Sequence, residues 1–158
     1  MKTYSGDHTV REVIKDIFSD EASLQISGLQ FIISQPSDPF FEKALLRMES
    51  SLKEPRVIAS YVKALAHVQG RESLSIIAKY LRHKDARVRA NCIEALEILE
   101  VDPSQKEILE ILMNFLGDDP RVAGNCIRIL ASALRPAALM ALIEDYFDRE
   151  DPRKCLNI

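Results

Sequence analysis

One stretch of this chain keeps returning, and that limits its fold more than any other feature. KDARVRANCIEAL, Lys84–Leu96, recurs as KEPRVIASYVKAL at Lys53–Leu65, as DDPRVAGNCIRIL at Asp118–Leu130 and, shortened, as EDPRKCLNI at Glu150–Ile158. A weaker copy, DEASLQISGLQFI, lies at Asp20–Ile32. The fifth residues of the copies, Leu24, Val57, Val88, Val122 and Lys154, follow one another at 33, 31, 34 and 32 residues. That is the period of helix-pair solenoids. A unit this short cannot enclose a core, so each must bury one face on the unit before it and another on the unit after.

Apolar residues fall at helical spacing almost throughout. Val10, Val13, Ile14, Ile17 and Phe18 predict a first amphipathic helix, and Leu24, Ile26, Leu29, Phe31, Ile32 and Ile33 a second. Phe40, Phe41, Ala44, Leu45 and Met48 open the next pair, which Val57, Tyr61, Ala64, Leu65 and Val68 complete. Asp-Pro at Asp38, Asp102, Asp119 and Asp151 marks helix starts. The carboxylate accepts from the orphan N–H groups of the first turn, and proline suits the next position, where no N–H is needed. Asp85 caps without a proline, Gln105 stands after Asp102 as in a capping box, and Gly70 and Gly117 are placed to end helices. No segment alternates with a period of two, so the chain reads as all-α.

A net charge of −3 argues against a dedicated nucleic-acid binder. Three cysteines, Cys92, Cys126 and Cys155, are an odd number without CxxC spacing, which fits free thiols in a reducing compartment. There is neither a signal-peptide run at the start nor an apolar stretch long enough for a membrane span. The reading is a cytoplasmic protein with no membrane partner.

The pattern Asp-x-Arg-Val-Arg-x-Asn-x-Ile-x-Ala-Leu at Asp85–Leu96 resembles the HEAT repeat in its short bacterial-type form. The resemblance runs from about Asp20 to the end and is strongest in the third and fourth copies. It implies antiparallel helices A and B in each repeat, stacked into a right-handed α-α superhelix with B helices on the concave side. Arg89 matches the family's second arginine, and Ile58 and Ala123 replace it in the neighbouring copies. Residues 1–158 then read as a single domain of about five helix pairs. The last pair is incomplete, with Leu156 and Ile158 unpaired, so the chain reads as a fragment of a longer one whose exposed C-terminal repeat offers self-association.

Aligning the copies turns positions into columns. Ser27, Ser60, Asn91, Asn125 and Asn157 form one, whose amides either hold an extended peptide, as asparagines do in the related armadillo repeats, or bond neighbouring helices. Arg56, Arg87, Arg121 and Arg153 form a second. These grip external anions, or else form a structural ladder with the capping acids Asp85, Asp119 and Asp151. Lys63, Glu94 and Arg128 form a third, behind a shallow floor of Ala59, Ala90 and Gly124, and their alternating sign suits a mixed-charge partner. Cys92 and Cys126 share a core column as small hydrophobes.

His8, His67 and His83 have no metal-binding spacing, and no nucleophile or phosphate-loop motif is present. We therefore expect no enzyme, cofactor or metal. The function expected is a scaffold binding another protein on its B-helix face through Lys63, Asn91, Glu94, Asn125 and Arg128. The alternatives are nucleic-acid or anion binding through the arginine column, and an accessory role to an enzyme encoded beyond residue 158.

Overall fold

Aspartate sets the helix starts. In the computed structural model, which describes Tyr4 and residues 10–36 and 38–149, Asp38, Asp85 and Asp119 each accept a bond from a backbone N–H two residues on. The three distances are 2.9, 2.9 and 3.0 Å. Pro39, Pro55 and Pro120 occupy first helical positions, where a missing N–H costs nothing. The helices are α1 (Val10–Ile17), α2 (Ala22–Ser34), α3 (Pro39–Met48), α4 (Pro55–Gln69), α5 (Leu74–Tyr80), α6 (Ala86–Ile98), α7 (Lys106–Asn114), α8 (Pro120–Ala133) and α9 (Pro136–Arg149). Two 3-10 turns, Glu49–Ser51 and Gly70–Ser73, follow α3 and α4. Gly70 closes α4 at φ +56°, a conformation that favours glycine. Among the described residues there is no strand.

Asp102 departs from expectation. Its carboxylate accepts from the backbone N–H of Ser104 at 2.9 Å and from the Ser104 hydroxyl at 2.7 Å, closing a local turn. α7 starts four residues later, with Gln105 as its N-cap and no side-chain cap bond. An Asp-Pro pair can therefore spend its carboxylate on a turn and leave the helix to begin downstream.

The chain divides into two compact units, Met1–Leu99 and Glu100–Ile158. In the first, α1 lies on α2, α3 on α4 and α5 on α6, and the second helices of the pairs stack in chain order, with α2 against α4 and α4 against α6. α4 is thus covered on both sides, and Val57, Ile58, Ala59, Tyr61, Val62, Ala64, Leu65 and Ala66 are all buried. Phe41, Leu45 and Met48 of α3, Ile77 of α5 and Val88, Cys92, Ile93 and Leu96 of α6 complete that interior. In the second unit, α8 packs on α7 and on α9, burying Leu112, Val122, Cys126, Ile129 and Leu130.

Helical spacing overstates the core at two aromatic positions. Phe18 lies just past the end of α1 and is 41% exposed, with the Arg47 guanidinium 5.9 Å from its ring centre. Phe40, in the first turn of α3, is 62% exposed. Spacing says which residues share a face, and these two sit at helix ends where neighbours cover that face only in part.

Gly28 fixes how closely α1 approaches α2. A Cβ there would lie 2.7 Å from Ile17 Cγ2 and 3.3 Å from the Val13 carbonyl oxygen. Ile17 and Val13 are fully buried and have nowhere to move. Alanine's gain in helix propensity, about 1 kcal/mol, is smaller than the overpacking it causes. Gly28→Ala should lower stability by about 1–2 kcal/mol net in urea denaturation. Gly124→Ala is the opposite case, because nothing lies within 4 Å of the added carbon. It should raise stability by up to about 1 kcal/mol, and a gain at Gly28 would refute the close packing.

Candidate functional site

Within the first unit, the three columns read from the repeat alignment are one surface. Along α4, Arg56, Ser60, Lys63 and His67 are spaced by four, three and four residues, which places them on a single helical stripe. They are also where α4 escapes burial, with Arg56 and His67 exposed and Ser60 and Lys63 half-buried. Arg87, Asn91, Glu94 and Ile98 form the matching stripe on α6, and Ser23, Ser27, Gln30 and Ser34 the one on α2. Because these helices stack in order, the first unit presents three such stripes side by side. In the second unit, α8 carries its own equivalent: exposed Arg121, half-buried Asn125, exposed Arg128 and exposed Ser132.

Polar ties across the repeats hold this face together. Lys63 Nζ meets Glu94 Oε2 at 2.9 Å, joining α4 to α6 with both side chains about a quarter to a third exposed. At that exposure the pair contributes roughly 0.2–1 kcal/mol, so its main effect is to fix which residues stand opposite each other. Asn91 Nδ2 donates to the Ala59 carbonyl at 2.8 Å, a second link between the same helices. Ser27 is buried, and its hydroxyl turns back to the Ser23 carbonyl at 2.8 Å. Beside Lys63, partial burial and then the lysine charge hold the His67 pKa below its usual value.

The arginines behave differently from one another. Arg87 folds its guanidinium onto Asp85, with Nε to Oδ1 at 3.4 Å and Nη2 to Oδ2 at 3.3 Å. Partial desolvation pulls the Asp85 carboxyl upward, but the hydrogen bonds and charge of Arg87 outweigh it and leave the pKa lowered. At Arg121 it is the backbone N–H that bonds Asp119, and the side chain reaches away into solvent. Glu54 makes no side-chain cap bond, and among the described residues Arg56 has no side-chain partner. Among the described residues the acid column engages a guanidinium at Arg87, where Asp85 both caps α6 and meets the side chain, while Asp119 only caps α8 and Glu54 makes no cap bond. Arg89, the second arginine, ties the turn between α5 and α6 by donating to the carbonyls of His83 at 2.7 Å and Lys84 at 2.9 Å. Asp151, Arg153, Cys155, Asn157 and His8 lie outside the described residues.

Cys92 and Cys126 are fully buried free thiols, and burial pushes both pKa values up to about 12. At neutral pH neither is a thiolate, so they serve as small core hydrophobes. Among the described residues, no group of three or more His, Cys, Asp and Glu is placed to hold a metal ion. None of the described helices is long and apolar enough to cross a membrane.

The Asn91 bond gives a direct test of what that side chain does. Asn91→Asp places a carboxylate against the Ala59 carbonyl and removes the donor. It should cost about 1–3 kcal/mol in chemical denaturation, and an unchanged midpoint would show that the amide does not join the helices.

A family model for HEAT repeats matches residues 42–114, from within α3 to the end of α7. No curated protein and no solved structure matches the chain. Period, helix pairing and family match agree over that stretch: residues 42–114 are similar to HEAT repeats, and the described residues of the chain are all-α.

Proposed function

We propose that this protein is a non-catalytic scaffold whose B-helix stripes dock another protein. HEAT repeats generally mediate contact between proteins. The observation that carries the reading is the set of stripes on α2, α4 and α6, where polar and charged side chains collect on a surface already fixed from beneath. A face held by Lys63–Glu94 and Asn91–Ala59 loses little conformational freedom when a partner arrives, so more of the contact energy appears as affinity. Arg56 offers a cation to a partner carboxylate, and Lys63 with Glu94 offers both signs at one place. Asn125 and Arg128 on α8 extend the proposal to the second unit, and the C-terminal repeat, which lies partly outside the described residues, is the proposed place for self-association. The cytoplasm is the proposed location.

Nucleic-acid binding through the arginines is the weaker reading, because Arg87 is already committed to Asp85 and the net charge is −3. Retention on heparin at moderate salt would revive it.

Two variants test the docking face without breaking the fold. Lys63→Glu with Glu94→Lys keeps an ion pair across the helices but reverses its direction, and Arg56→Glu reverses an exposed charge. Each should lower capture of the partner from native extract at least about tenfold, with helical circular dichroism unchanged. If capture survives both, the B-helix face is not where the partner binds.

A further inference from the structure

Away from those stripes, the first helix pair holds a buried carboxylate that a docking scaffold does not require. Asp16 of α1 is only 6% exposed. Its Oδ2 accepts a hydrogen bond of 2.5 Å from the hydroxyl of Tyr4, a residue outside any helix and six positions before α1 begins. The Tyr4 ring lies 5.1 Å from that of Phe31 on α2, tilted by 57°. Phe31 in turn meets Phe41 on α3 edge to face at 6.5 Å. Burial first, then the hydrogen bond to Asp16, raises the Tyr4 pKa and keeps the phenol a donor. Two helices thus supply a floor and an acceptor to a single side chain, and α3 backs the floor through Phe41.

The chemistry of this site is selective. A carboxylate taken from water must be matched by a donor, and an aromatic floor favours a flat ring set at an angle to it. Tyrosine brings both in one side chain. Phenylalanine would fill the floor and leave Asp16 without that donor, and serine would satisfy Asp16 and leave the floor empty. We propose that α1 and α2, backed by α3, form a socket for a tyrosine side chain, which Tyr4 fills in cis and which a tyrosine-bearing peptide segment of a partner protein takes when Tyr4 withdraws. Tyr4 then acts as a built-in competitor. Tethered a few residues from its socket, it works at an effective concentration of order millimolar, so an external peptide meets a site that is already occupied.

The test uses the full chain and a fluorescent peptide corresponding to residues 1–9, MKTYSGDHT, followed by anisotropy. Tyr4→Ala should bind this peptide at least about tenfold more tightly than the unaltered protein does. A peptide with phenylalanine in place of its tyrosine should bind at least about tenfold more weakly, because it cannot supply the donor. A peptide with scrambled flanks around the tyrosine should bind like the original. Asp16→Asn added to Tyr4→Ala should weaken binding, and if that variant does not fold the phenylalanine peptide makes the same comparison on intact protein. Equal binding to the unaltered and Tyr4→Ala proteins, or equal binding of the tyrosine and phenylalanine peptides, overturns the socket. Loss of binding with scrambled flanks overturns the partner segment, since only the chain's own sequence would then be read.

Discussion

The interior of each helix pair in the first unit belongs to its neighbours, and the rest of the arrangement depends on this. α4 shows it most plainly. Eight of its side chains are buried, some under α2 and α3 and others under α6. A helix surrounded in this way has one route to solvent, and its polar residues, Arg56, Ser60, Lys63 and His67, are confined to that route. The polar face is therefore a by-product of stacking. The same confinement has a cost at Tyr61, which is fully buried with its ring edge-to-face to Tyr80 at 6.2 Å. Its hydroxyl has no hydrogen-bond partner among the described residues. An unmet group of that kind costs about 1–3 kcal/mol, and the apolar contacts of α4 must outweigh it.

Polar contacts across repeats do something that apolar burial cannot. Apolar contacts are non-directional and set register only through the fit of shapes. Asn91 donating to Ala59 and Lys63 bridging to Glu94 set it directly, because each needs one partner at one distance. Their contribution lies in fixing register, and register keeps the three stripes aligned as one surface. Arg89 does similar work inside a repeat by anchoring the loop before α6 through two carbonyls.

Much of this was readable in the residues. A repeat near 32 residues, aspartate with proline at helix starts and unbroken helical spacing led to an all-α fold, because period and capping are local properties. The sign change from Lys63 to Glu94, one repeat apart, reads in the sequence as suited to a mixed-charge partner, whereas in the fold the two side chains meet each other. That the three columns form one stripe was also present, in offsets of four and three, but columns compared between repeats hide what lies along a single helix. Other features were not legible. Phe18 and Phe40 have core spacing yet stay exposed, because coverage depends on neighbours rather than on pattern. Asp102 looks like a cap but closes a turn. Tyr4 reaching Asp16, and Gly28 admitting Ile17, are contacts between different elements that no periodicity encodes.

Native-state hydrogen exchange of the individual amides in the first unit examines the shared interior most directly. If α4 is held by the repeats on either side, its amides from Val57 to Ala66 should be the slowest of the unit and should exchange only when the whole unit unfolds. Those of α1 and α5, which have fewer neighbours, should open earlier through smaller fluctuations. Amides of α1 or α5 that outlast those of α4, or an α4 that opens by itself while α2 and α6 stay protected, would contradict the account.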